Sequence, residues 1–313
     1  MTDGIINVYK EQGYTSHDVV AKMRGILKQK KIGHTGTLDP MAEGVLPVCL
    51  GKGTKLCDML TDKTKTYRAV LLLGQETDTQ DTTGEVLASY PVNVTEEEVR
   101  EAILCFQGDY SQIPPMYSAL KVDGKKLYEL ARAGKEVERE ARPVTIFEIR
   151  IEEIALPRAV FTVSCSKGTY IRTLCYDIGR KLGCGGCMES LVRTRVAGFL
   201  LEDSLKLADI ERLRDEGTLA DHVFSIDCMF EAYPAVTMKP EFDRLVHNGN
   251  TFHKEQAAGW PDMGQLAVAE PELAGLVRVY DSLGQFIGIW EEEPAPEQGL
   301  MKPRKVFLGG NGR

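Results

Sequence analysis

The chain has 313 residues, 43% hydrophobic and 27% charged, which suffices for a core without metal or disulfide staples and excludes disordered and collagen-like classes. Lys and Arg number 38 against 46 Asp and Glu, a net charge of −8 that on its face argues against a nucleic-acid partner. The excess acid is C-terminal, with 11 basic and 20 acidic side chains in residues 201–313, so basic runs earlier in the chain leave the partner open.

Ile5 to Val8 reads as a strand, after which Gly13 turns the chain and Ser16 offers an N-cap to a helix with Val19, Val20, Met23, Ile26 and Leu27 inward. A polar loop, GHTGTLDPMAEG from Gly33 to Gly44, then separates two apolar elements. Thr66 to Leu73 alternates as a strand, with both faces expected to contact protein. Thr95 and Glu98 form a capping box ahead of Val99, Ala102, Ile103 and Phe106, and Gly108 ends that helix. A strand from Tyr117 to Val122 meets the turn Asp123-Gly124, and a short helix runs to Gly134. Val144 to Ile154 and Val160 to Cys165 read as neighbouring strands. Beyond Lys167-Gly168-Thr169 a helix carries Ile171, Leu174, Ile178 and Leu182 inward and stops at Gly183. From about Tyr233 short strands take over, such as Leu276 to Tyr280 and Phe286 to Trp290, which places a domain boundary near residue 230.

Eight cysteines are too sparse for a secreted disulfide scaffold, and Cys49, Cys57, Cys105, Cys165 and Cys175 lie in apolar surroundings, so buried, reduced thiols are expected. Cys184 and Cys187 form a lone CxxC with no second pair, and no metal is expected. Leu50 to Lys55 lacks the spacing of a phosphate loop, and no nucleophile elbow or zinc helix occurs, so the chemistry is expected to need no cofactor. The start of the chain lacks a basic-then-apolar signal pattern and no apolar run approaches a membrane span, so a cytoplasmic location is expected.

Two clusters could carry chemistry. In the first, glycines flank His34 and proline follows Asp39, which makes Asp39 the candidate carboxylate; the bland alternative is an Asx turn that caps a following helix. In the second, Lys167, Tyr170 and Arg172 surround a strand-to-helix turn, where a fixed guanidinium could pair with a carboxylate or phosphate.

GHTGTLDPMAEGVLPVCLGKGTK, LTDKTKTYRAVLLLGQETDTQDTTG, QIPPMYSALKVDGKKLYELARAGKEVEREAR and SKGTYIRTLCYDIGRKLG follow one another in order and resemble the bacterial tRNA pseudouridine-55 synthases, the TruB family, over residues 4–200. NGNTF and GLVRVYDSLGQFIGIW resemble, more weakly, the PUA RNA-binding module of bacterial members. The resemblance implies an α+β fold. Residues 1–230 would form the pseudouridine-synthase catalytic domain, a mixed, largely antiparallel sheet flanked by helices, and residues 231–313 a small β-rich PUA-like domain.

By the same resemblance Asp39 is the catalytic aspartate, Tyr67 the active-site tyrosine that stacks on the target base, and Arg172 the arginine that pairs with the aspartate. His34, Lys10, Lys167, Tyr170 and Leu191 are the implied substrate-contacting positions, Leu191 packing beneath the site. One departure is that Lys10 is followed by Glu11 where the family commonly has proline. The implied reaction is conversion of uridine 55 to pseudouridine in the T loop of tRNA, without cofactor or metal. The implied partner is the T-arm stem-loop of tRNA, with no membrane and no obligate protein partner, the chain acting as a monomer that also assists tRNA folding. A noncatalytic RNA-binding or RNA-folding protein is the rival reading, disfavoured because a binder has no need of an aspartate opposite an arginine. A metal-dependent hydrolase using His34 and Asp39 ranks last.

Overall fold

The computed structural model describes residues 1–61, 63–122, 124–260, 275–294 and 299–307. Its larger sheet has nine strands. Seven lie in the order Gly4–Lys10, Glu43–Leu50, Gly186–Val196, Lys65–Leu73, Arg158–Cys165, Arg142–Ala155 and Gly108–Gln112, with Ile32–His34 and Phe199–Leu200 paired alongside. Neighbours are antiparallel except where Val192 and Arg193 meet Glu43 and Gly44 in parallel. The sheet is thus mixed and largely antiparallel, as expected. Gly44 is required at the parallel junction: its φ is 101°, and a Cβ there would lie 2.3 Å from the Arg193 carbonyl oxygen.

Helices Glu96–Leu104 and Ile171–Leu182 cover one face, where Val99 and Ile103 meet Ile171, Leu174 and Ile178 over the strand residues Tyr67, Ala69 and Leu71. Helix Ser16–Leu27 packs with Leu207 and Ile210 against Ile6, Val8, Val48 and Leu50. The capping box at Thr95 forms as expected, Glu98 accepting from the Thr95 amide. At the first helix the cap is Thr15 rather than Ser16, because Asp18 completes a capping box with Thr15. Ser16 is instead buried, and its hydroxyl accepts from the Leu38 amide at 2.9 Å.

Three further expectations change. The outer face of Lys65–Leu73 is not covered by protein: Arg68 is exposed, and Thr66, Thr162, Thr194, Arg150 and Arg195 line an open groove of about 560 Å³. Between Tyr117 and Val122 only Lys121–Val122 is extended, paired with Lys125–Lys126; Asp123 lies outside the described residues. All eight cysteines are free, but Cys105 is exposed and Cys57 and Cys228 are half-buried. Among the described residues no helix is long and apolar enough to cross a membrane.

A second sheet of six strands is built from residues 235–306 and wraps around Val277, Val279, Ile287, Trp290 and Met301. This is the PUA-like domain. It does not stand apart: Ile289 and Phe307 share one apolar cluster with Ile5, Val45, Leu56, Leu60, Val196, Phe199 and Phe230. Phe230, Phe286 and Phe307 form an aromatic knot, with centroids 5.6–6.1 Å apart. The two sheets are therefore expected to unfold in one calorimetric transition, and Phe307→Ala to cost about 3 kcal/mol, the usual loss for a buried phenylalanine. Two separate transitions, with Phe307→Ala moving only one, would show that the seam does not couple them.

Candidate active site

The loop from Thr35 to Ala42 joins two antiparallel strands and is pinned on all sides. Thr35 N–H donates to the Pro47 carbonyl at 3.2 Å, Gly13 N–H to that of Pro40 at 2.8 Å, and Ala42 N–H to that of Asp39 at 3.1 Å. Lys10, fully buried, donates from Nζ to the carbonyl of Ala42 at 2.6 Å and lies 3.3 Å from those of Pro40 and Glu11. Glu11 thus enters the clamp through its backbone, a contact that proline in its place could also make. Burial lowers the Lys10 ammonium to about 8, opposed by the charges of Asp39 and Glu43. With its amine turned inward, Lys10 braces the loop that carries Asp39.

No helix follows Pro40, so the capping alternative for Asp39 falls away. The carboxylate reaches Arg172 in the first turn of helix Ile171–Leu182, Oδ2 lying 2.9 Å from Nε without hydrogen-bond alignment. Asp39 keeps 37% of its side chain open to solvent, whereas Arg172 is only 4% exposed. The rest of the guanidinium is fixed: Nη1 donates to the Thr79 carbonyl at 3.0 Å and Nη2 to the Tyr117 carbonyl at 2.7 Å. A second carboxylate, Asp81, lies 3.6 Å from Nη1 and is itself buried. Its Oδ1 accepts from the hydroxyls of Thr79 and Thr83 and from the Thr83 amide. Arg172 therefore stands between two carboxylates, one open and one closed.

Burial pushes the Asp39 carboxyl above its ordinary range; Arg172 and Lys10 pull it back, while Asp81 adds to the rise. Arg172 thus opposes an upward shift without reversing it, a weaker hold than a simple ion pair implies. Tyr67, on strand Lys65–Leu73, is buried against Leu38, Ala42 and Leu191, and burial pushes its phenol up to about 12. Leu191 belongs to this same buried cluster. Tyr170 is half-buried: its amide and carbonyl are held by the Gln112 side chain, and its phenol is raised by burial and by the charge of Asp39. His34 is half-buried, its ring edge-on to His17 at 5.7 Å with Nδ1 lacking a hydrogen-bond partner, and burial lowers its pKa. Lys167 is exposed at the turn before the helix.

The sequence reading missed Asp81 and Arg193. Asp81 lay inside the quoted run TDTQDTTG, and its partner arrives from 91 positions away. Arg193 is wholly buried and registers directly opposite Tyr67. The available signal was alternation, which puts a charge in line with Leu191 on an inward face. Among the described residues no cluster of His, Cys, Asp and Glu could hold a metal ion.

Residues 24–171 match the family described as TruB family pseudouridylate synthase, N-terminal domain, and residues 172–231 the tRNA pseudouridylate synthase B C-terminal domain. The chain is 51% identical to the tRNA pseudouridine synthase B of Lachnoclostridium phytofermentans, over 98% of this chain and 100% of that protein. It is 49% identical to that of Alkaliphilus oremlandii, over 80% of this chain and 83% of the other. Among solved structures, a chain in the crystal structure of a Cbf5–Nop10–Gar1 complex superposes with TM-score 0.71 at 26% identity, covering 98% of this chain and 85% of that one. A chain of an H/ACA RNP bound to a substrate RNA containing 2′-deoxyuridine gives 0.69 at 25% identity, covering 97% and 85%.

Two measurements test the electrostatics. Because Asp39 has a higher pKa folded than unfolded, the stability it lends is fully present below its ordinary 3.8 and lost as pH rises through the folded value. Asp39→Asn is therefore expected to unfold no earlier than the wild type at pH 7, with the gap in its favour widening in thermal scans as pH rises from 3.8 through the folded value. A marked drop at pH 7 would mean that the ion pair outweighs burial. Arg172→Met strands Asp81 without its cation and should cost about 3 kcal/mol in urea titrations, a typical loss for one member of a buried pair.

Proposed function

The chain belongs to the TruB family of pseudouridylate synthases and isomerises uridine in tRNA, and we propose that its target is uridine 55 of the T loop, with Asp39 as the central carboxylate. The observation that carries this reading is an open carboxylate, Asp39, held against a buried arginine that a second carboxylate backs.

Isomerisation breaks the bond from N1 to C1′, turns the base, joins C5 to C1′, and moves a proton from C5 to N1. No redox change occurs. Asp39 serves either route to the free base, by capturing C1′ or by removing the C2′ proton, and both need it ionised. Arg172 favours that ionised form. Tyr67, with its pKa near 12, is a neutral phenol at pH 7, so it meets the uracil as a flat ring and a hydrogen-bond donor. The target nucleotide must leave its stack to reach Asp39, and the half-exposed His34 and Tyr170 line its way in. Exposed Lys167 beside the helix start would meet backbone phosphate, consistent with recognition of an RNA arm by shape.

A division near residue 230 assigns catalysis to residues 1–230 and additional tRNA contact to residues 231–313. Of the C-terminal basic residues, Lys302 pairs with Glu293 at 2.8 Å and Arg304 lies 3.7 Å from Glu291, whereas Lys305 adds its charge to a cluster with Lys31, Lys52 and Lys55.

The test is incubation with an unmodified tRNA transcript and site-resolved detection of pseudouridine. Product at position 55 alone is expected, and product elsewhere overturns the site assignment. Asp39→Asn should lower the rate by more than ~10³-fold while tRNA affinity holds within a few-fold. Chelator treatment, or replacement of Cys184 and Cys187 by serine, should leave the rate unchanged; stoichiometric metal lost together with activity would contradict this.

A further inference from the structure

We propose that Arg193 is a positioning residue that ties the Tyr67 phenol to the loop carrying Asp39. The inference rests on the reading of Asp39 and Tyr67 as active-site residues. Arg193 is 0% exposed, and among the described residues it has no carboxylate within ion-pair distance. Burying an unpaired guanidinium costs several kcal/mol, so a purely structural role would be better filled by an apolar side chain. The fork is partly used: Nε donates to the Val45 carbonyl at 2.7 Å, and Nη2 lies 3.5 Å from the carbonyl of Gly36, three residues before Asp39. Nη1 has no acceptor. On the neighbouring strand Tyr67 is the direct register partner of Arg193, and both side chains are buried on the inner face of the sheet.

A guanidinium can only donate, so in this link the phenol oxygen is the acceptor offered to the spare Nη1, and the phenol's own proton is left for another acceptor. One side chain thereby fixes the direction in which Tyr67 donates and the spacing between its strand and the Asp39 loop. The other groups acting on the phenol are the Cys165 thiol and Asp39 itself, both of which disfavour its ionised form. Arg193 is thus the cation that favours it.

The experiment combines kinetics on a tRNA transcript with a fluorinated tyrosine placed at position 67 and titrated by fluorine NMR. Arg193→Met is expected to lower kcat by ~10²-fold with KM within ~3-fold, and to add little to the loss in Tyr67→Phe. The fluorotyrosine should titrate at higher pH in Arg193→Met than in the otherwise wild-type chain. Losses that multiply in the folded double variant, or an unmoved titration, would overturn the proposal. Should Arg193→Met fail to fold, Arg193→Lys decides: it keeps the charge but not the fork, so about tenfold loss of kcat is expected and full rate refutes the role. If the wild type formed no pseudouridine at all, the functional reading would fail, while the fluorine titration would still report on the Arg193–Tyr67 link.

Discussion

The site depends on a guanidinium kept out of water. Arg172 is held by the backbone carbonyls of Thr79 and Tyr117 and faces Asp39 on one side and Asp81 on the other. A buried cation of this kind is tolerated only when its donors and charge are met, so it fixes where four separate chain segments come together. The segments supplying Thr79, Asp81 and Tyr117 are irregular, and Arg172 is one of the contacts that orders them. The sheet serves that convergence by setting strand Lys65–Leu73 and helix Ile171–Leu182 on either side of the same core.

The charges around Asp39 form a graded set. Lys10 and Arg193 lie wholly inside and hold carbonyl oxygens of the loop, while Asp39 alone keeps a solvent-facing edge. Removing water from a carboxylate raises its pKa, and two nearby cations, Arg172 and Lys10, limit that rise. Burial and pairing thus act on the Asp39 carboxylate in opposite directions.

Local signals in the sequence found the local structure. The capping box at Thr95 and the helix beginning after Thr169 need only neighbouring residues to be recognised. What escaped is what the sheet assembles over distance. Asp81 reads as a polar turn until the helix brings Arg172 to it, and Arg193 reads as one of three alternating charges or polar groups until its register with Tyr67 is known. Lys10 was legible as a candidate, but its inward direction is set by the loop that folds over it. The cap at Ser16 was displaced by one residue because Asp18 can reach back only to Thr15. The outer face of Lys65–Leu73 alternates as a covered strand does, and nothing local announces that no helix lies over it.

The shared cluster of Phe230, Phe286, Phe307, Ile5 and Leu56 bears on how the two sheets are spaced. Two sheets welded by packed aromatic rings keep a set separation, unlike two sheets on a flexible tether. A rigid RNA long enough to touch both would engage the second without further loss of chain entropy, and one of the wrong length would be unable to touch both at once.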